Sequence, residues 1–240
     1  MPHVTAQPDR GLLLVPAYFH PTTAPADWQT LVGASDYLRA VILNIDSGPG
    51  LAKEIMFSAV VQRLKLAGIP VLGYVDTGYG RCSRELVQRQ IARYNAWYRV
   101  DGVFFDQVSA DAEHLPQYRS LAAAARGMGA RSVVFNHGVY PAYGYAKLAD
   151  LLVTFEGRLR DHEKLKIPAW AYGLPAQRFC HLVYGTPRAE TERTLQRASR
   201  YNAGAVYVTD LDGVNPWRRL ASHFNRQTLA VGRCGPRPAS

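Results

Sequence analysis

Eight short apolar runs, set apart by stretches of helical periodicity, constrain this chain more than any other feature of its sequence. They span 12–19, 38–44, 70–75, 102–106, 132–136, 151–155, 178–183 and 205–209. An apolar run of this length, bounded by polar residues, reads as a strand buried on both faces of a parallel sheet. The spacing between runs predicts helices. A short one starts near Asp27. Another covers 51–67, with Ile55, Val60, Val61 and Leu64 on one face and a stop at Gly68. A third follows a Ser83 cap to Tyr98, with Leu86, Ile91, Tyr94 and Trp97 as apolar contacts. Further helices cover 114–128 and 188–201, the latter entered at Pro187. A closing helix starts within 216–224. Eight strands alternating with helices give an α/β class, a single (β/α)₈ TIM-type barrel rather than an open sheet.

The length of 240 residues suits one such barrel, which typically needs ~250. The barrel is expected over 11–228. The polar stretch 1–10 and the Gly-, Pro- and Arg-rich stretch at 229–240 are expected to be flexible ends. A hydrophobic share of 48% with 11% aromatics is enough for a full core. The net charge of +9 is carried mostly by arginine. The basic residues are scattered along helical segments, with no dense block or aromatic-basic motif, so no nucleic-acid partner is expected. Three cysteines match no zinc spacing and no disulfide framework. The run at 11–19 is too short to span a membrane and contains Pro16. It also lacks the flanks of a signal peptide, which gives a cytoplasmic expectation, or a secreted one if an export signal has been removed. No metal site and no cofactor is expected.

Two of the runs end on an acid. Val103-Phe104-Phe105 leads into Asp106, and Leu151 to Phe155 leads into Glu156. A barrel gathers the C-terminal ends of its strands on one rim, where catalytic groups are displayed. Two rim carboxylates can form the pair that cleaves glycosidic bonds: about 5 Å apart for retention, ~6.5–9.5 Å for inversion. Each acid also has a plainer reading. Asp106 can cap the turn before Ser109, and Glu156 can pair with Arg158 or Arg160. The same rim would collect Tyr18, His20, Asn44, Tyr74, Asn136, His137, Tyr184 and Asp210, together with Gln107. Asp46, Asp76 and Asp212 lie at the same strand ends. Tyr79, between Gly78 and Gly80, and Tyr172, beside Trp170, are further candidates for contact with a sugar. Ser47-Gly48-Pro49-Gly50 lacks the spacing and lysine of a phosphate loop and reads as a sharp turn.

Taken in order, VPAYFHP (15–21), ILNIDSGPG (42–50), GYVDTGYGRC (73–82), YNAWYRVDGVFFDQ (94–107), NHGVYP (136–141), ADLLVTFEG (149–157), LVYGT (182–186) and YVTDLDGVNPW (207–217) resemble the spherulation-specific, spherulin-type family. The resemblance implies a (β/α)₈ barrel. It also implies kinship with fungal hydrolases that cut galactosaminogalactan. In those hydrolases the fourth strand ends in an Asp-Glu pair and the sixth in a Glu. Asp106 and Glu156 take the first and last of these places, and Gln107 takes the middle one. Glutamine matches glutamate in shape but cannot carry a catalytic proton at neutral pH. His137, where the family often has proline, and Asp46 are further departures.

The expected function is therefore a glycosidase acting on an N-acetylgalactosamine-type oligo- or polysaccharide. Asp106 and Glu156 would be catalytic. Tyr18, His20, Asn44, Tyr74, Tyr79, Gln107, Asn136, His137, Tyr172, Tyr184 and Asp210 would bind substrate. A basic chain would repel a polymer of free amines at long range, so N-acetylated, neutral or anionic substrates fit better. Two rivals stay open because of Gln107: a non-hydrolytic biosynthetic enzyme on a small molecule, and a carbohydrate-binding protein without catalysis.

Overall fold

The computed structural model describes residues 13–234. Eight parallel strands close into a barrel in chain order. They are β1 (Leu13–Ala17), β2 (Leu38–Leu43), β3 (Val71–Asp76), β4 (Gly102–Asp106), β5 (Ser132–Asn136), β6 (Leu151–Arg158), β7 (Phe179–Tyr184) and β8 (Ala205–Val208). Closure comes from β1 against β8, where Leu13 pairs with Val206. The outer layer holds α1 (Pro25–Gly33), α2 (Ile55–Leu66), α3 (Arg84–Tyr98), α4 (Leu115–Gly127), α5 (Leu159–His162), α6 (Ala169–Tyr172), α7 (Thr191–Arg200) and α8 (Phe224–Cys234). The stretches 1–10 and 235–240 lie outside the described residues.

Strand periodicity decides what points where. Successive side chains alternate between the barrel interior and the helix layer. In β4, Phe104 and Asp106 face inward beside Tyr74 of β3, which stacks on Phe104 at 6.3 Å. Phe105 faces outward, where it meets Phe135 of β5 edge-on at 5.6 Å. Tyr118 of α4 packs on the same Phe135. Every strand is sheathed on both sides, so the runs contain little besides apolar residues.

Helix starts and stripes differ from the sequence expectation in detail. Helix α2 begins at Ile55, not at 51, and Ile55 is 81% exposed while Phe57 is buried. Helix α3 does take its Ser83 cap, whose Oγ accepts from the Leu86 N–H at 3.2 Å. It buries Val87, Ile91, Tyr94 and Tyr98, a one-face stripe that leaves Leu86 and Trp97 at its edges. Residues 216–223 form turns rather than a helix. Asn215 Oδ1 takes the Trp217 N–H, and Arg218 binds the carbonyls of Asp212 and Asn215, so side chains satisfy the backbone there. The last helix, α8, then carries the barrel past residue 228, through Cys234. Strand β6 runs three residues beyond Phe155 and shifts register against β7 between Val153 and Phe155.

Under α5, His162 and His181 face each other with Nε2 and Nδ1 3.0 Å apart. Burial holds both in the neutral form, with His162 pushed down to about 4. One ring must therefore donate and the other accept.

Gly73 sets the distance between β3 and α3. A Cβ there would lie 2.6 Å from the Tyr94 ring, which is fully buried and anchored by its hydroxyl donating to the Leu43 carbonyl at 2.9 Å. Gly73→Ala is expected to lower the unfolding free energy by about 1–3 kcal/mol through overpacking. Urea unfolding checks this: the midpoint should fall at unchanged slope. A wild-type midpoint would mean that α3 moves off the sheet freely.

Candidate active site

Asp106, at the end of β4, and Glu156, within β6, face each other through one side chain, Asn136 at the end of β5. The Asn136 Nδ2 donates to Asp106 Oδ1 at 2.6 Å and also to Glu156 Oε2. Its Oδ1 accepts the Gly138 N–H at 3.0 Å. That third bond fixes which end of the amide faces the acids. The remaining carboxylate oxygens are also taken. The Tyr74 hydroxyl donates to Asp106 Oδ2 at 2.7 Å, and the Trp217 indole N–H donates to Glu156 Oε1 at 3.0 Å. Two oxygens bonded to one nitrogen stand no more than about 5 Å apart, so the two carboxyl groups are close neighbours.

Neither acid follows its plainer alternative. Arg158 pairs with Asp212 at 3.0 Å and Arg160 with Asp161 at 3.8 Å, so Glu156 has no arginine partner among these. The Ser109 N–H that Asp106 might have capped goes to the Tyr118 hydroxyl at 3.1 Å.

Burial drives the electrostatics. Glu156 is pushed up to about 7, first by desolvation and then by the charge of Asp106, against the pull of its Asn136 and Trp217 donors. Asp106 is also raised by burial, opposed by hydrogen bonds from Tyr74, the Gln107 backbone and Asn136. Close carboxylates titrate as a pair, and this environment leaves the second proton on the Glu156 side near neutrality. Tyr18 packs edge-on against Tyr74 at 5.3 Å. Burial and the two nearby acids raise its hydroxyl well above the ordinary tyrosine value.

The pair opens into a cavity of about 330 Å³ lined by Tyr79, Gln107, His137, Gly138, Tyr184, Val214 and Pro216 besides Asp106, Asn136 and Glu156. A larger cavity of about 510 Å³ lies at the opposite, N-terminal end of the strands, among Arg39, Lys65, Asp101 and Arg131. Chemistry in this fold belongs to the C-terminal rim, so the smaller cavity is the candidate site.

The expected binding residues divide. Tyr74, Tyr79, Gln107, Asn136, His137 and Tyr184 line the cavity or bind the acids directly, and Tyr18 backs Tyr74. His137 is held neutral by burial, at about 4, and its Nδ1–H points to the Val108 and Ser109 carbonyls. The other four are not among the residues that line the cavity. His20 turns away to Glu54, 3.0 Å from its Nε2. Asn44 spends its Oδ1 on the Gly48 N–H, closing the turn after β2. Asp210 accepts the Ser222 N–H at 2.9 Å and braces the loop before α8. Tyr172 is 59% exposed on α6, beyond the residues that line the cavity. His20 ties the loop after β1 to the start of α2, while Asn44 and Asp210 satisfy loops of their own, demands that strand periodicity does not reveal.

Trp217 is a site residue outside the set expected to bind substrate. Its sequence signal is the turn-rich Asp210–Asn215 stretch, which swings the indole over the rim. Among the described residues, Asp111, Glu113 and His114 bring three possible metal ligands within 4.8 Å, on a largely exposed turn. No helix of the described residues is long and apolar enough to cross a membrane.

The pK of Glu156 makes a stability prediction. Its folded value, about 7, lies above the ordinary 4.5. Its stabilising contribution is thus complete below 4.5 and lost as pH rises through 7, at about 1.4 kcal/mol per unit of displacement. The stability of Glu156→Gln relative to wild type is expected to climb between pH 4.5 and 8. Thermal melts at the two pH values check it, and a pH-independent difference would contradict the raised value.

With this geometry in place, the chain can be set beside known proteins. Residues 12–231 match the model of spherulation-specific family 4, and the chain belongs to that family. Spherulin-4 of Physarum polycephalum is 26% identical over 245 residues, covering 95% of this chain and 73% of that protein. The crystal structure of Aspergillus clavatus Sph3 in complex with GalNAc superposes with a TM-score of 0.81 at 22% identity, over 92% of this chain and 97% of that one. A chitinase from Chromobacterium violaceum superposes with a TM-score of 0.64 at 10% identity, over 92% and 99%. A fungal endo-β-N-acetylglucosaminidase of glycosyl hydrolase family 18 does so with 0.59 at 15%, over 96% and 100%. At these identities the structural likeness establishes the closed barrel.

Proposed function

We propose that this member of spherulation-specific family 4 is a retaining-type glycoside hydrolase acting on N-acetylated amino-sugar chains. The observation that carries the reading is the carboxylate pair joined through the Asn136 amide at the mouth of a cavity. Its spacing suits retention. The chemistry of the structural neighbours adds support, because one binds GalNAc and two are named for cleaving N-acetylglucosamine polymers or glycans. The net charge of +9 favours acetylated over free-amine sugars.

The environments of the two acids suggest their roles. Glu156, raised to about 7, keeps a proton near neutrality and serves as general acid toward the leaving oxygen. Asp106, with Tyr74 and Asn136 donating to it, is the carboxylate that stays ionised in the pair. It faces the developing positive charge at the anomeric carbon as nucleophile or stabiliser. Once the leaving group departs, Glu156 is the base that activates water. Trp217 and Asn136 hold its carboxylate in place for both steps.

A second reading is sugar binding without hydrolysis. It draws on Gln107, an amide where the family's hydrolases are expected to carry an acid. It predicts a wild-type protein that binds N-acetylgalactosamine oligomers and releases no product.

Product release from such oligomers, followed by mass spectrometry, tests the hydrolase. Asp106→Asn and Glu156→Gln are each expected to lower kcat by about 10²–10⁴-fold with folding intact. Full turnover in both would end the proposal. The pH profile carries a finer test. Trp217→Phe removes a donor from the ionised Glu156, so the alkaline limb should move to higher pH. Tyr74→Phe removes a donor from ionised Asp106, so the acid limb should move up. Limbs that stay fixed in both variants would reassign the titrating groups.

A further inference from the structure

Among the described residues, five other than glycine hold left-handed backbone: Ser47, Tyr79, Arg99, Gln107 and Asn202. Arg99 has an ordinary reason, as the left-handed cap of α3. Tyr79, at φ 56°, and Gln107, at φ 48°, have another relation. Both line the cavity beside the acids, and the Tyr79 N–H donates to the Gln107 carbonyl at 2.6 Å. Backbone of this kind is unfavourable for residues with a Cβ and persists only where its surroundings over-determine it.

The surroundings do so here. Thr77 Oγ1 lies 2.9 and 2.8 Å from the carbonyls of Asp106 and Gln107, and its own N–H donates to the Asp106 carbonyl at 3.0 Å. Since Thr77 spends its proton on these carbonyls, the Tyr118 hydroxyl at 2.8 Å donates to it. Gly80, at φ 88°, allows the turn to close against the His114 ring, which a Cβ would meet at 2.6 Å. The turn after β3 and the turn after β4 are thereby latched to one another.

The latch displays two side chains at the cavity. The Tyr79 ring is 51% exposed, with the Arg81 guanidinium 5.9 Å from its centre. The Gln107 carboxamide bonds to no protein group among the described residues, although its backbone carbonyl is fully engaged. A cavity of about 330 Å³ is at the small end for a ligand site, so a sugar chain entering it must continue across the lip. Tyr79 is the half-exposed aromatic ring of this lining.

We propose that Tyr79 and Gln107 form a second sugar subsite next to the carboxylate pair. The Tyr79 ring stacks on the apolar face of the adjoining pyranose, and the Gln107 amide bonds that ring's acetamido or hydroxyl groups. The proposal rests on the glycosidase reading and extends it: the preferred substrate is an oligomer, gripped across at least two rings.

Calorimetric titration with N-acetylgalactosamine and with its oligomers of two to six rings tests this, alongside product release. Wild type should bind oligomers more tightly than the single sugar. Tyr79→Gly should reduce that gain by about tenfold, the value of a lost aromatic contact. Tyr79→Phe should keep it. Tyr79→Gly should also raise the melting temperature, because glycine adopts this backbone without penalty. A purely architectural Tyr79 would instead lower it, which would overturn the subsite. So would equal binding of monomer and oligomer by a wild-type protein that does cleave the oligomers. If wild type neither binds nor cleaves any of these sugars, the glycosidase reading fails and the subsite falls with it.

Discussion

One amide governs the rim of this barrel. Asn136 spends both protons of its Nδ2 on opposing carboxylates and anchors its oxygen on the Gly138 N–H. Without that bridge, two acids taken out of water and set close together would repel each other, and each would seek an arginine or a proton. The bridge lets them share a site with no cation among their hydrogen-bond partners. Tyr74 and Trp217 complete the arrangement by filling the outer oxygens. Four neighbouring strands and one late loop thus converge on a group of charges that none of them could hold alone.

The barrel itself is what makes the convergence possible. Parallel pairing in strict chain order puts β3, β4, β5 and β6 side by side, so Tyr74, Asp106, Asn136 and Glu156 fall on adjacent staves. Alternation then sends these four inward and sends Phe105 and Phe135 outward, into the packing under α4. The phenylalanines that precede each acid in the sequence therefore hold the strands to the outer layer, Phe105 against Phe135 and Phe155 against His162.

Much of this was legible in the sequence, because strand burial on both faces writes itself as an apolar run and strand ends write themselves as abrupt polarity. All eight strands could be placed that way, as could Asp106, Glu156, Asn136 and Tyr74. What lay hidden was local. His20, Asn44 and Asp210 follow strand ends as the site residues do, yet His20 bonds the start of α2 and the other two bond the loops that follow their strands. Trp217 was concealed for the converse reason: the stretch at 216–223 has helical composition, but Asn215 and Arg218 satisfy its backbone as turns. The three-residue extension of β6 past Phe155 was likewise unreadable, since it depends on a register shift against β7.

The hydroxyl of Thr77 touches the carbonyls of two consecutive residues on the neighbouring strand's exit, one of them Asp106 itself. Two connecting segments that are separate in the chain are, for evolutionary purposes, a single unit. An insertion or deletion in either would drag on the other and on the acid between them. Diversification of this protein's relatives should accordingly concentrate in the loops beyond this splice, with changes on its two sides arising in concert.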